Sequence, residues 1–424
     1  MSHKPLVLLG FCCLIFPTML SAQEESEAAK AFRIRNDSLV KIWRSEYARN
    51  AKIKQDAFMS YLDTVPSDSL KIVDGRNMLL QEVPDLEKFT RIESVNFENN
   101  ALVTLPKTTF GSDSLQRILI GHNELKKARF KANKSVRVLA LNNNKLKKLP
   151  RSIRKLKNLR SLNLEGNQIK RIPRFIKRMD SLEDINLNFN HLKLNRRVVR
   201  RLSQIEAVSL GGNKLESLPP NIYRMQGVKS LNLGKNQLSS LPPTFANLKQ
   251  IELLIFYENK FSDFPREVLE LHNLKHLDFY YNQLTSLPEE LGELIKLEQL
   301  FLSFNQLQDL PKSLQGLDKL VYFYAHNNQL MRFPEWIKQH QKLQRVGLSN
   351  NRIINLPDLS AMPELTDLDV QNNLIDVFPW ELLYKEGMQL LTIKNNAFNL
   401  STEEREKLER LVEKCRRSGF AVSW

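Results

Sequence analysis

Residues 159–173 read LRSLNLEGNQIKRIP, and residues 297–311 read LEQLFLSFNQLQDLP. Laid over one another, Leu159, Leu162, Leu164, Asn167, Ile169, Ile172 and Pro173 fall on Leu297, Leu300, Leu302, Asn305, Leu307, Leu310 and Pro311. The asparagine recurs at 100, 123, 144, 167, 190, 213, 236, 259, 282, 305, 328, 351, 373 and 396, and nine consecutive intervals are 23 residues. Self-similarity at such a period means stacked units, none of which buries its apolar face alone. Within a unit, two leucines separated by one residue project to the same side of an extended chain, the period of a short strand with one buried face. An asparagine amide both donates and accepts, so one at each turn satisfies backbone groups left open where the chain leaves the strand. The return carries a second apolar pair, as in Ile153/Leu156, Ile222/Met225, Val268/Leu271 and Leu291/Leu294. That spacing suits one helical or 3₁₀ turn.

The pattern LxxLxLxxNxLxxLP resembles the leucine-rich repeat, and it covers Leu70 to Asn399. The resemblance implies an α/β solenoid, a horseshoe with a parallel β-sheet on its concave face and helical caps at both ends. Residues 70–399 then hold about fifteen repeats, the first degenerate, with Met78 at an asparagine position. Residues 23–69 are expected to form the N-terminal cap. There Leu39, Ile42, Trp43, Tyr47, Ile53, Phe58 and Tyr61, set among charges, suit one or two amphipathic helices. Residues 400–424 are expected to form a closing helix. Ser401 and Glu404 fit a capping box, and Leu408, Leu411, Val412 and Cys415 share one face.

A hydrophobic content of 42%, with 14 Gly and 18 Pro in 424 residues, excludes disorder and collagen-like sequence. Residues 1–22 have the three regions of a secretory signal: Lys4, an apolar run from Leu6 to Phe16, and Ser21-Ala22 before the expected cut. Pro17, Thr18 and Ser21 interrupt that run, so no integral membrane span is expected after processing. Phe11 before Cys12 argues against lipidation. Cleavage leaves Cys415 as the single cysteine, which precludes an internal disulfide and suits a bacterial periplasm, cell surface or medium.

No GxSxG, HExxH, P-loop or Gly-rich dinucleotide turn is present, so neither catalysis nor a cofactor is expected. Some secreted bacterial leucine-rich-repeat proteins carry a cysteine-dependent ubiquitin-ligase domain after the repeats, but only about 24 residues follow the array here. Cys415 reads as a buried thiol on the closing helix. His272 and His276 have a metal-like spacing, yet the register separates return from strand, and no metal site is expected.

The net charge of +16 is unevenly placed. Residues 126–201 hold 24 Lys and Arg against Glu165, Asp180, Glu183 and Asp184, a net of +20, so the rest of the chain sums to −4. Among those cations only Arg137 and Arg160 fall at variable strand positions; Lys145, Lys147, Lys148, Arg151, Arg154, Lys155 and Lys157 fall on turn and return, which places the charge on the rim and back. The strand positions carry aromatics instead. Of eight, seven lie in the repeats of asparagines 259 to 328, and Phe189, Tyr281 and Phe304 are set aside because they precede the asparagine and brace the turn. Tyr257, Tyr280, Phe301, Tyr322 and Tyr324, with His276 and His326 beside them, form the candidate ligand-binding patch.

The sequence therefore reads as an exported, non-enzymatic scaffold that binds a protein on its concave face. The alternative is an envelope glycan or lipopolysaccharide held by the aromatics and the basic rim. Nucleic acid is not expected, because no face interleaves basic and aromatic residues. Mass spectrometry of the exported protein is expected to find Gln23 first; a mature protein that keeps Met1 overturns the leader.

Overall fold

The computed structural model describes residues 27–105 and 112–424, and in the first helix the side chains from Ser45 onward. The leader at 1–22 and its cut lie outside the described residues. The chain divides after Lys54 into two units. The described part of the first is the start of α1 (Glu27–Thr64), a single 38-residue helix where the sequence suggested one or two. Within the second unit the helix's last turns bury Phe58 and Leu62, and the Phe58 ring meets Phe97 edge-on with centroids 6.4 Å apart.

From β1 (Ile72–Asp74) to β16 (Ala421–Ser423), sixteen strands among the described residues form one parallel sheet in strict chain order. Each is three residues long, and its central side chain goes inward: Leu231, Leu254, Leu277, Leu300 and Phe323 are all fully buried. The chain then turns away through a left-handed residue just before each asparagine, among them Asn99 (φ 57°), Gly166 (φ 65°), Lys235 (φ 53°) and Asn350 (φ 55°). Asparagine and glycine tolerate that conformation better than other residues.

The asparagines do what their chemistry requires. Asn236 is 7% exposed. Its Oδ1 accepts from the backbone N–H of Asn213 (3.1 Å) and Leu215 (3.0 Å), one repeat earlier. Its Nδ2 donates to the carbonyls of Leu210 (3.2 Å), Leu233 (2.8 Å) and Gly234 (3.1 Å). One side chain thus ties two repeats together while removing buried orphan groups.

Returns are mostly 3₁₀ turns set by the proline that ends the repeat motif. Pro220–Arg224 buries Ile222, whose carbonyl accepts the Met225 N–H. Proline suits this place because its fixed φ fits the turn and no N–H is needed there. Two returns depart. After Asn190 the chain forms α2 (Arg196–Leu202), capped by Asn195 Oδ1 accepting from the N–H groups of Arg197 and Val198. Between Asn123 and Asn144, two residues shorter than the usual interval, residues 124–137 form no helical turn and join the next repeat through a bridge of Asn133 with Leu156. Arg137 and Arg160, read as strand positions, each stand one residue before their strands, Val138–Ala140 and Ser161–Asn163.

At the far end α3 (Thr402–Arg417) starts in a complete Ser401–Glu404 capping box and buries Leu408, Val412 and Cys415. The Cys415 thiol donates to the Leu383 carbonyl (3.4 Å), and burial pushes its pKa up. The helix is not the last element, because Ala421–Ser423 returns as β16 beside Leu390–Thr392. Among the described residues no helix is long and apolar enough to cross a membrane.

Asn236→Leu keeps the size but leaves the Asn213 and Leu215 N–H groups without acceptors, at roughly 1 to 3 kcal/mol for each orphaned donor. Thermal unfolding is expected to move down; an unchanged midpoint overturns the role assigned to the amide.

Candidate recognition surface

Five neighbouring strands build the surface: β9 (Leu253–Ile255), β10 (His276–Asp278), β11 (Gln299–Phe301), β12 (Tyr322–Tyr324) and β13 (Arg345–Gly347). Because the pairing is one to one, outward residues fall into columns. The first runs His276, Gln299, Tyr322, Arg345, and the second Ile255, Asp278, Phe301, Tyr324, Gly347. A third, two residues past each strand, runs Tyr257, Tyr280, Ser303, His326, Ser349.

The seven residues picked from the sequence are all half-buried on this face. They make two ring clusters rather than one. In the third column Tyr257 lies 5.6 Å from Tyr280 between ring centroids. Tyr280 in turn meets Tyr281 edge-on at 4.5 Å and Phe304 at 5.1 Å, and Tyr281 stacks on Phe304 at 4.1 Å. Tyr281 and Phe304, set aside on the sequence as turn-bracing residues, thus pack into this cluster. Both take the left-handed turn conformation (φ 55° and 57°), and the turn swings their rings onto the tyrosines. Phe189, also left-handed, is 47% exposed in an earlier repeat, with the Lys235 ammonium 6.0 Å from its centroid. In the second cluster His276 meets Phe301 edge-on at 4.9 Å, Phe301 stacks on Tyr324 at 5.3 Å, and Tyr324 stacks on His326 at 5.5 Å. Rings stack along a column only where adjacent strands both supply one. Ser303 interrupts the third column and Asp278 the second, which separates the clusters.

Tyr322 belongs to neither stack and lies under the Arg345 guanidinium, 5.5 Å away. Arg345 Nε is in turn fixed by Asp367 Oδ2 at 2.8 Å. These two charges were not legible as site residues because their repeats have no aromatic at the strand positions; counting the register forward from Tyr322 finds them.

Burial, and then the Glu258 carboxylate that accepts its hydroxyl, raise the Tyr257 pKa to about 12. Tyr280 is raised to about 12 by burial and by Tyr281. Both are neutral phenols at physiological pH. Burial lowers the His326 pKa against the pull of Asp369, so its ring is neutral as well. The Ser349 backbone N–H donates to His326 Nδ1 (3.2 Å), which leaves the ring proton on Nε2, where it has no partner among the described residues. Gly347 makes the space: a Cβ there would lie 2.1 Å from His326 Nε2 and 2.6 Å from Tyr324 Cδ1. Burial also raises the Asp278 carboxyl, although it accepts the Tyr280 N–H at 2.8 Å. The surface is an aromatic floor with a half-buried histidine, His326, and an Arg–Asp pair at its edge.

Models of the leucine-rich repeat match residues 124–169 and 134–192, a two-copy leucine-rich-repeat model matches 272–312, and a single-repeat model matches 227–248. A search of curated protein sequences returned no match. Among solved structures the chain is similar to a leucine-rich-repeat protein of Leptospira interrogans, with 29% identity over 86% of this chain and 98% of that one and a TM-score of 0.72. An internalin of Listeria monocytogenes shares the fold at 20% identity, over 74% of this chain and 89% of that one, with a TM-score of 0.57. A TDR receptor shares it at 24% identity, over 76% and 58%, with a TM-score of 0.60. The repeated asparagine bonds, the all-parallel sheet in chain order and these matches agree that the chain belongs to the leucine-rich-repeat proteins and forms their solenoid, similar along most of its length to a bacterial member.

Proposed function

We propose that this chain is an exported, non-enzymatic scaffold whose sheet face, the concave side of the horseshoe, binds a protein ligand. The observation that carries this reading is the pair of half-buried ring clusters across β9 to β12, open on one side and edged by Arg345. Tyrosine and arginine over a rigid apolar base are the residues that dominate protein interfaces, because they bury much area while losing little conformational entropy. Rigidity comes from directly beneath. Phe256 packs against Phe261 at 5.0 Å and against Phe279 at 5.1 Å, and Phe323 packs against Trp336 at 5.2 Å. The fold adds support, since leucine-rich-repeat solenoids commonly serve as protein-binding domains. Export is supported by the composition of residues 1–22.

The test uses the mature chain as bait, with Tyr280→Ala/Tyr324→Ala against wild type. Each substitution is expected to weaken ligand binding by about 2 kcal/mol or more while changing thermal stability little, whereas Phe279→Ala below them costs roughly 3 to 5 kcal/mol of stability. Competition by purified envelope glycans would transfer the surface to a saccharide. An undiminished set of partners with the double variant overturns the assignment of this face.

A further inference from the structure

The excess positive charge gathers around the short repeat. Its irregular return, residues 124–137, stands beside the 3₁₀ turn Arg151–Lys155 of the next repeat, and the two bound a depression of about 1290 Å³. Ten Lys and Arg line it and no acid does. A second depression of about 730 Å³ shares Lys147, Lys148 and Arg151 with the first and continues to Arg171 and Arg201. A third, of about 870 Å³, shares Arg154 and Lys155 and continues to Arg178. Shared walls make the three one track across successive repeats.

Among the described residues little neutralises this track. Among the described residues only Lys131 and Lys145, of the ten cations in the first depression, have acidic partners, Glu87 and Glu124. Ser152 Oγ in the first depression and Arg201 Nε in the second are shielded from solvent and have no hydrogen-bond partner among the described residues. Burial, and then the neighbouring Arg174, Arg197 and Arg200, lower the Arg201 pKa. Such crowding is self-repulsive unless an anion occupies it. The floor is apolar, formed by Ala128, Phe130, Leu149 and Pro150.

We propose that this track is a second binding site, separate from the aromatic face, and that it takes an anionic polysaccharide carrying sulfate, carboxylate or phosphate groups. An elongated groove with cations along its walls matches a chain of spaced charges better than a single ion. The apolar floor suits the C–H faces of sugar rings. Single-stranded nucleic acid fits less well, because it binds by stacking bases on open rings. Here Phe130 is buried, and Phe175, in the third depression, is half-buried.

The test measures binding of a heparin octasaccharide to the mature chain at several salt concentrations, beside a thymidine oligonucleotide of equal charge. Lys147→Gln/Lys148→Gln/Arg151→Gln removes three exposed cations from the track. Lys229→Gln/Lys249→Gln/Lys275→Gln removes three exposed lysines that pair with glutamates in other repeats. The first variant is expected to lose at least tenfold in heparin affinity and to show a shallower salt dependence. The second is expected to change affinity less than threefold, and both are expected to unfold near the wild-type temperature. Tyr280→Ala/Tyr324→Ala is expected to bind heparin as wild type does, so the two sites succeed or fail separately. Equal losses in the two charge variants, no binding by wild type, or tighter binding of the oligonucleotide would each overturn the proposal.

Discussion

Everything in the solenoid rests on one buried amide per repeat. Leaving a three-residue strand through a left-handed residue strands backbone N–H and C=O groups in an apolar interior, where each unpaired group is costly. An asparagine is short enough to stay inside and bifunctional enough to bond two repeats at once. Its position holds the spacing near 23 residues, and that spacing keeps the strands in register. Register then decides which side chains meet on the open face, so the aromatic surface is a downstream product of hydrogen bonding in the core.

Much of this was legible because the governing forces are local and periodic. Leu162 and Leu164, Asn167 and Pro173 report strand, turn and return without reference to distant residues. The strand Ala421–Ser423 was not legible, since three residues after a helix carry no period, and only pairing with Leu390–Thr392 defines them. The left-handed φ of Tyr281 and Phe304 was equally hidden. Aromatic residues seldom adopt it, and the sequence shows position, not the direction a ring takes when the turn swings it sideways. Gly347 is a further case: its meaning lies in the two rings from the neighbouring repeat that its missing side chain admits.

The two surfaces differ in chemistry as well as place. On the sheet, uncharged rings are held by a phenylalanine core, and the charges at the edge are already paired. Around the short repeat the cations are mostly exposed, crowded and, among the described residues, mostly without acidic partners. Stacked architecture permits this division, because each repeat contacts chiefly its neighbours and a change in one return leaves the sheet intact. The loss of two residues between Asn123 and Asn144 alters the back of the solenoid while Val138–Ala140 keeps its place in the sheet.

The bonds of Asn236 also give the stack a polarity. Its amide serves Asn213, Leu215 and Leu210, all in the repeat before it, and Asn259 serves Leu238 and Leu233 in the same sense. Each turn is therefore completed by the repeat that follows. This explains why the first repeat tolerates Met78: no earlier repeat needs its amide, and Asn100 reaches back to the Met78 and Leu80 N–H groups and the Gly75 carbonyl. At the opposite end no further asparagine of the repeat ladder follows Asn396, and Ala397 is exposed. Shortening the stack from its N-terminal side strips an asparagine of clients, whereas shortening it from the C-terminal side strips a turn of its support. The two ends of this solenoid are energetically inequivalent, and its integrity is anchored from the C-terminal side.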